Sequence, residues 1–317
     1  MTAAPFNAEE PRVSVIVAAR DVGDYIDETI TSLQSQSLQD FEVLVVDDGS
    51  TDDTLEKLQA VVVADRRFRL FGGLGKGPAA ARNVALHHAR GLWIAILDGD
   101  DAILPSRLES LVVAGEQLGA DLVADNLTAF YSDGRPDHPW LDGEAWSRPR
   151  TINIDDYLGI KTEAGSHTRL GYLKPLFRTQ ALKRLGLAYD ESLFIGEDYD
   201  LVARCLLAGA VFHYMPEAGY RYRRHGASIS YRITSAQLAT MLAGMERLKA
   251  ASPTVHHAIF DARVATLRAD LAFVRKVEAI KRGSPVALIQ TLLGAQTRPR
   301  LLDAVREGVQ RRLGAAI

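Results

Sequence analysis

The stretch Ala95-Ile96-Leu97-Asp98-Gly99-Asp100-Asp101 is an apolar run that ends in a group of carboxylates around a single glycine. Residues 93–97 have the composition of a buried strand, so the acids fall at its carboxyl end, where open α/β sheets place their ligands. Negative charge concentrated at one point requires a counterion. An ordinary turn before a helix is the alternative, because Asp-Gly followed by Asp is also common in turns.

Two strands are predicted upstream, and the second also ends in acids. Residues 13–19 form an apolar run that leads through a polar turn into a helix over residues 24–38, which makes a βα unit. Residues 41–46 form a buried strand, and Asp47 and Asp48 follow it directly. Capping of the next helix explains some residues beyond this point, but not the two acids. The pattern predicts an α/β fold with carboxylates at one edge of its sheet.

Length and composition limit the class of protein. The 317 residues, 47% of them apolar, suffice for one large α/β domain with an appendage or for two domains. No apolar run approaches the roughly 20 residues of a membrane-spanning helix, and residues 1–10 lack the features of a signal peptide. The single cysteine, Cys205, excludes an internal disulfide framework. We therefore expect a cytoplasmic protein, either free or peripheral at the inner face of the membrane.

The net charge of −3 conceals an uneven distribution. From residue 233 to the end, 13 Lys and Arg stand against 6 Asp and Glu, a balance of +7 that leaves −10 for the rest of the chain. Such segregation indicates a separate role for the tail. Nucleic-acid binding is not expected, because the candidate site is acidic and the basic residues of the tail are scattered among apolar positions.

A glycine-rich stretch lies between a predicted strand at residues 68–71 and a helix. Its glycines alternate at Gly73, Gly75 and Gly77, whereas a dinucleotide-binding loop needs two residues before its last glycine. A Rossmann-type dehydrogenase is therefore disfavoured. Arg82, in the first turn of the helix that follows, is unfavourably placed for the helix dipole. A bound anion explains this placement, and an exposed surface position is the alternative.

The second half of the chain contains another pair of acids. Gly196 precedes Glu197 and Asp198 at the start of a helix that runs to Leu207. Acids are common at helix starts, but this glycine also lets a ligand approach the backbone closely.

A long loop and two short apolar runs flank that helix. Residues 131–150 are loop-like, and Trp140 and Trp146 within them suit either stacking on sugar rings or a local apolar cluster. Residues 211–216 and 219–223 alternate as a pair of antiparallel strands would. Helical periodicity dominates the remainder of the chain.

In their order and spacing these motifs resemble those of the family 2 glycosyltransferases, inverting enzymes with the GT-A fold, and within them bacterial enzymes that build exopolysaccharide repeat units. The resemblance covers about residues 11–230 and implies an α/β fold in which a Rossmann-like mixed sheet is flanked by helices. It implies a catalytic domain over 11–232, with a donor half to about 125 and an acceptor half from about 126, and a helical basic C-terminal extension over 233–317. The motifs that carry it are Val13–Asp21, Val46–Thr54, Gly77–Asn83, Leu97–Asp101, Gly196–Asp198 and Arg221–Ser230.

The resemblance implies a UDP-sugar donor and a divalent cation, Mn²⁺ or Mg²⁺. A cation that bridges the two phosphates of the leaving group stabilises the charge that grows there as the glycosidic bond breaks. Asp100 offers the oxygen ligands that these metals prefer. Asp101 and His225 are the further metal ligands that we expect.

Donor contacts are also implied. Where the family commonly has Pro-Thr-Tyr-Asn, this chain has Ala-Ala-Arg-Asp, so Arg20 replaces the tyrosine that stacks on the base. Asp48 is expected to hydrogen-bond the uracil ring and Asp98 the ribose hydroxyls. The full set of expected nucleotide-sugar contacts is Ala18, Arg20, Asp48, Arg82, Asp98, Gly99, Arg223, Arg224 and Ser228.

An inverting transfer needs a general base. The acceptor hydroxyl attacks the anomeric carbon from the face opposite the departing phosphate, so a carboxylate must take its proton. We predict Asp198 as this base and Glu197 as the alternative, since adjacent acids at a helix start cannot be separated by sequence. The expected acceptor is a glycan or a lipid-linked oligosaccharide.

Other roles remain open for the chain and for its tail. A nucleotidyltransferase would need a glycine- and lysine-rich loop after the first strand, where this chain has residues 18–21. A catalytically silent sensor or scaffold that binds nucleotide sugars is disfavoured by the presence of Asp100 and of the acids at 197 and 198. The apolar helix faces of the extension can pack on the catalytic domain, form a homodimer or lie on an anionic membrane surface.

Overall fold

The computed structural model describes residues 10–132, 134–159, 169–225 and 233–293. Within these residues one mixed sheet of 10 strands forms the centre of the protein. The strands are β1 (Val13–Ala19), β2 (Phe41–Asp47), β3 (Phe68–Gly72), β4 (Trp93–Asp98), β5 (Ala102–Ile103), β6 (Leu122–Tyr131), β7 (His138–Pro139), β8 (Arg150–Ile152), β9 (Leu176–Arg178) and β10 (Phe212–Arg224).

The first half of the sheet is parallel, in the order β3-β2-β1-β4. Its inner strands are buried along almost their whole length, which agrees with their unbroken apolar runs. Because the strands are parallel and in register, Ala18 pairs with both Val46 and Asp98. The acids that follow β2 and β4 are thereby brought to one edge of the sheet.

The second half of the sheet mixes directions. Strand β9 is antiparallel to both β4 and β6, and β10 runs parallel to β6. Residues 211–216 and 219–223, expected to be two antiparallel strands, belong to this one strand, so that prediction was wrong. The pairing with β6 shifts register between Met215 and Tyr220. Pro216 lies in this interval, and because proline has no N–H to donate, an irregularity there is expected.

A buried ion pair holds this irregular part of the sheet. Arg107 is 2% exposed and donates three hydrogen bonds to Asp125 on β6, and the same carboxylate accepts from the backbone N–H of Gly219. A Cβ at position 219 would lie 2.5 Å from that carboxylate, so only glycine fits. The backbone N–H of Gly219 therefore has a hydrogen-bond acceptor where the pairing between β6 and β10 is irregular.

Helices flank the sheet. Most of them are longer than two turns and bury one side against the strands. They are α1 (Ile26–Gln34), α2 (Thr54–Ala64), α3 (Pro78–His88), α4 (Arg107–Gln117), α5 (Ile154–Gly159), α6 (Thr179–Leu185), α7 (Glu197–Leu207), α8 (Ser235–Ala251), α9 (His257–Lys281) and α10 (Pro285–Leu293).

The extension packs on the rest of the protein through α8 and α9. Its buried side chains Leu238, Phe260 and Leu267 join the same apolar core as the sheet. Helix α9 lies so close to α5 that a Cβ at Gly159 would be 2.2 Å from Ile259. Of the three roles considered for the apolar helix faces, packing on the rest of the protein is therefore observed for these two helices.

None of the helices described is long and apolar enough to cross a membrane.

Shared packing predicts that the extension unfolds together with the sheet. Phe260 is fully buried, so Phe260→Ala should lower the free energy of unfolding by about 3–5 kcal/mol. Urea unfolding followed by tryptophan fluorescence measures this, because Trp93, Trp140 and Trp146 all lie outside the extension. Val255→Ala, at a position 78% exposed, is the matched control and should change stability by less than about 0.5 kcal/mol. A tryptophan transition left unchanged by Phe260→Ala would show that the extension unfolds separately.

Candidate active site

A cleft of about 510 Å³ opens at the carboxyl ends of β1 and β4 and at the first turns of α3 and α7. Its walls come from both halves of the sheet and from α8 and α9. The predicted site residues that line it are Ala18, Arg20, Asp48, Arg82, Asp98, Gly99, Asp100, Glu197, Asp198 and His225.

Arg82 joins the acids of the two halves. Its guanidinium lies 2.6 Å from Asp98, 2.5 Å from Glu197 and 3.3 Å from Asp198, and its side chain is 4% exposed. Its burial contradicts the exposed surface position considered for it, and side-chain carboxylates neutralise its charge. Its buried Nε has no hydrogen-bond partner in the described part of the chain.

Lys174, which the sequence analysis missed, is a second buried cation in the cleft. Its Nζ lies 2.8 Å from Asp98 and 2.6 Å from Asp198. Burial alone would lower the pKa of Lys174, but these two carboxylates outweigh burial and hold the pKa above its ordinary value. The available signal was a lysine directly before Pro175 and the buried strand β9, a position that no motif marks.

The two cations separate the pKa values of the adjacent acids on α7. Burial raises the pKa of both, but Arg82 and Lys174 together pull the pKa of Asp198 below its ordinary value. For Glu197, burial and the neighbouring charge of Asp198 prevail over Arg82, and the pKa is raised. Asp98 resembles Asp198, because Lys174 and Arg82 overcome its burial and lower its pKa. Of the pair, Asp198 is therefore the acid whose ionised form its surroundings favour.

Tyr189 is a further residue that sequence reasoning missed. Its hydroxyl donates a hydrogen bond of 2.9 Å to Asp198, and its ring lies 5.4 Å from the guanidinium of Arg82. Its backbone N–H donates to the side chain of Asn83 on α3. With the contacts from Lys174 and Arg82, both oxygens of Asp198 are held in place.

Gly196 allows the extension to reach the start of α7. Its φ is +82°, and a Cβ there would lie 3.2 Å from Met241 of α8. The glycine was expected to admit a ligand to the backbone, and in the structure the neighbour at this position is Met241 of α8.

Asp100 and His225 form the part of the site that suits a metal. They are joined by a hydrogen bond of 2.8 Å, and the Asp100 side chain is 25% exposed. No group of three or more His, Cys, Asp and Glu side chains that could hold a metal occurs in residues 10–132, 134–159, 169–225 and 233–293. Within these residues Asp100 and His225 would supply an oxygen and a nitrogen ligand, which fits Mn²⁺ or Mg²⁺ when phosphate and water fill the other positions.

Asp101 was expected to bind the metal, and the structure gives it a different role. It is fully buried, its oxygens accept hydrogen bonds from the Tyr220 hydroxyl at 2.6 Å and from the backbone N–H of Arg223 at 2.7 Å, and it does not line the cleft. Burial, with the nearby charges of Asp100 and Asp98, raises its pKa well above the ordinary value. Asp101 ties β10 to the end of β4, and we do not retain it as a ligand.

Arg223 was expected to grip phosphate, and it too serves the framework. Its guanidinium donates to the backbone carbonyl of Asp100 and to the carboxylate of Glu28. It lies outside the lining of the cleft and is 6% exposed. It therefore orients the loop that carries Asp100.

Two predicted phosphate contacts remain, Arg224 and Ser228. The guanidinium of Arg224 lies 5.9 Å from the Trp140 ring centre and outside the cleft lining. Ser228 lies outside the described residues.

Asp48 organises the glycine-rich loop. Its two oxygens accept hydrogen bonds from the backbone N–H groups of Gly75 and Gly77, at 2.8 and 2.7 Å. A Cβ at Gly73 would lie 2.5 Å from the same carboxylate. Since a carboxylate has further lone pairs and Asp48 lines the cleft beside Arg20, these contacts leave room for the predicted contact with a base.

The two tryptophans of the 131–150 segment are both buried. Trp146 packs edge-on against Tyr214, as a local apolar cluster would. Trp140 is 8% exposed and contacts Tyr172 and Tyr222. Neither offers a free face to a sugar.

The comparisons with known proteins agree with the fold. The family model described as Glycosyl transferase family 2 matches residues 14–180. The succinoglycan biosynthesis protein ExoO of Rhizobium meliloti (strain 1021) is 32% identical over 96% of this chain and 88% of that protein. The succinoglycan biosynthesis protein ExoU of the same organism is 35% identical over 69% of this chain and 64% of its own length.

Solved structures are similar at lower identity. S. aureus TarS in complex with UDP-GlcNAc superposes with a TM-score of 0.64 at 22% identity, over 81% of this chain and 71% of that one. The mannosyltransferase PcManGT of Pyrobaculum calidifontis, in complex with GDP-Man and Mn²⁺, gives a TM-score of 0.55 at 20% identity, over 94% and 85%. At these identities the likeness shows a shared fold.

Lys174 should stabilise the protein in a way that depends on pH. Lys174→Met leaves Asp98 and Asp198 without one of their two cations and should cost about 3–5 kcal/mol at neutral pH. The lowered pKa values of both acids give the wild type stability that is present above the ordinary carboxyl pKa and lost as the pH falls below it. In the variant these pKa values rise, so its deficit should be smaller at pH 4 than at pH 7.

Urea unfolding at the two pH values tests this. Lys183→Met removes an exposed lysine from α6 and serves as the control, with an expected change below about 0.5 kcal/mol. A deficit for Lys174→Met that is equal at both pH values would contradict the electrostatic explanation.

Proposed function

The chain belongs to glycosyl transferase family 2, and from this premise we propose that it is an inverting, metal-dependent enzyme of bacterial polysaccharide biosynthesis. It moves a sugar from a UDP-sugar to a glycan or lipid-linked saccharide. The names of ExoO and ExoU support the polysaccharide role. The TarS complex with UDP-GlcNAc supports a nucleotide-sugar donor, and the PcManGT complex shows that the fold also serves a GDP-sugar. The choice of UDP rests on the resemblance of Asp48 to the family's uracil-binding aspartate.

One observation carries the proposal: the buried cations Arg82 and Lys174 join Asp98, at the end of β4, to Asp198, at the start of α7. Group transfer requires the donor and the acceptor to meet with their reacting atoms aligned. A network that fixes an acid of the donor half relative to an acid of the acceptor half meets this requirement.

Asp198 acts as the general base. As the acceptor oxygen forms its bond to the anomeric carbon, its proton passes to Asp198, and the bond from that carbon to the phosphate oxygen breaks with its electron pair leaving on UDP. The lowered pKa keeps Asp198 unprotonated and ready to accept the proton. Glu197, whose pKa is raised, accepts a hydrogen bond from Arg82 and keeps that guanidinium between the halves.

Donor binding uses the other end of the cleft. Asp100 and His225 are the residues that would hold Mn²⁺ or Mg²⁺, which when bound offsets the charge of the diphosphate leaving group. We assign Arg20 and Asp48, which line the cleft, to the nucleobase, and Asp98 to the ribose hydroxyls. A Cβ at Gly99 would lie 3.3 Å from the carbonyl oxygen of Ala18, so these two residues form a close-packed floor.

Helix α10 has an exposed apolar surface that could bind a membrane or a second copy of the chain. It is short and strongly apolar, and Lys281 and Arg282 lie just before it. We propose that its apolar face attaches the enzyme to an anionic membrane surface, with a second copy of the chain as the alternative partner. The exposed apolar side chains are Val286, Leu288, Ile289, Leu292 and Leu293.

Removal of the base should abolish turnover without loss of donor binding. For Asp198→Asn we expect the rate of UDP-sugar hydrolysis or transfer to fall about 10²–10⁴-fold, because the proton has no acceptor. The affinity for UDP, measured by calorimetry, should change by less than about threefold. Glu197→Gln is the matched variant and should retain more activity than Asp198→Asn. The reverse order would identify Glu197 as the base, and binding of UDP-sugars without any turnover by the wild type would favour the sensor alternative.

Metal dependence can be tested on binding alone. Mn²⁺ should strengthen UDP binding to the wild type. In Asp100→Ala the affinity for UDP in the presence of Mn²⁺ should be lower by roughly tenfold or more. Calorimetric titration of UDP with and without Mn²⁺ measures the effect, and Asp142→Ala, an exposed acid outside the cleft, is the control. If Mn²⁺ leaves the affinity of the wild type for UDP unchanged, and Asp100→Ala binds UDP as the wild type does, the metal assignment is overturned.

A further inference from the structure

Three aromatic rings meet beside the cleft. The ring centres of Trp140 and Tyr172 are 4.7 Å apart, and each of them lies 5.8 Å from the ring centre of Tyr222. Trp140 is buried at the back of the group, whereas Tyr172 is 39% exposed. Tyr172 and Tyr222 line the cleft and Trp140 does not. The group therefore presents tyrosine rings to the cleft, supported from behind by the tryptophan.

The position of this aromatic group is fixed relative to the proposed base. Tyr172 ends a short 3₁₀ turn, and Lys174, which binds Asp198, follows two residues later. The turn packs directly on α7, since a Cβ at Gly171 would lie 2.6 Å from the ring of Tyr199, the residue after Asp198.

The second tyrosine is tied to the proposed metal side of the cleft. Tyr222 lies on β10, three residues before His225, which hydrogen-bonds Asp100. The two tyrosines thus line the same cleft as Asp198 and Asp100. The residues predicted to contact the nucleobase, Arg20 and Asp48, follow β1 and β2 instead.

We propose that Tyr172 and Tyr222 form the subsite that binds the acceptor sugar. This inference rests on the proposed function. A pyranose ring has an apolar face of C–H groups and a rim of hydroxyls, and a tyrosine offers an apolar ring with a polar hydroxyl at its edge. Stacking on a ring that packing holds in place orients the sugar at low entropic cost. The subsite thus takes a neutral saccharide and presents one of its hydroxyls to Asp198.

Binding of simple glycosides tests the subsite without knowledge of the natural acceptor. The probes are methyl β-D-glucoside, methyl β-D-galactoside and methyl α-D-mannoside, titrated by saturation-transfer NMR against the full chain with UDP and Mn²⁺. We expect at least one of them to bind the wild type. Tyr172→Ala should weaken that binding about tenfold, and Tyr172→Phe, which keeps the ring face, should stay within about threefold of the wild type.

A control variant and a second ligand separate the subsite from the rest of the site. Tyr131→Ala removes a tyrosine that stacks on His138 outside the cleft and should leave glycoside binding unchanged. The affinity for UDP should be the same in all four proteins.

The outcomes distinguish the two proposals. If the wild type binds UDP but none of the glycosides, or if Tyr172→Ala binds them as the wild type does, the subsite is overturned and the proposed function stands. If Tyr172→Ala weakens UDP equally, the residue serves the whole site and the subsite is also overturned. A wild type that fails to bind UDP overturns the proposed function and the subsite with it.

Discussion

Three carboxylates, those of Asp98, Glu197 and Asp198, can share one cleft only if cations neutralise most of their charge. The fold supplies Arg82 from the first turn of α3 and Lys174 from the segment before β9. Both cations are largely buried, so little water screens these contacts. The two halves of the sheet are thus held together at the cleft by charge, in addition to the apolar core beneath it.

The same constraint gives neighbouring acids different chemistry. Glu197 and Asp198 are adjacent in sequence, yet the pKa of Glu197 is raised and that of Asp198 lowered. Arg82 and Lys174 together outweigh the burial of Asp198, whereas burial and the neighbouring charge of Asp198 prevail at Glu197. An acid that stays ionised beside a fixed lysine and a fixed tyrosine is positioned before any ligand arrives. Asp101 shows the opposite use of a carboxylate, since burial and protein donors on both oxygens make it part of the framework.

Sequence patterns located the strands and the acids at their ends, because long apolar runs and charged residues after them are local signals. They did not identify Lys174, Tyr189 or Tyr172, whose roles arise from packing between segments far apart in the chain. The structural roles of Asp101 and Arg223 were not predictable for the same reason. Asp101 follows the candidate ligand Asp100 and Arg223 lies two residues before His225, so in the sequence both look like residues of the site. The single irregular strand β10 was read as two, because Pro216 interrupts the alternation without ending the pairing with β6.

The close approach of Met241 to Gly196 has a consequence for protein engineering. Helix α8 touches the backbone at the residue before the proposed catalytic pair, and with α9 it forms part of the cleft wall. The extension is thus not an exchangeable module. A chimera that joins this catalytic region to the tail of a relative must preserve the side-chain volume at position 241, or the start of α7 will shift.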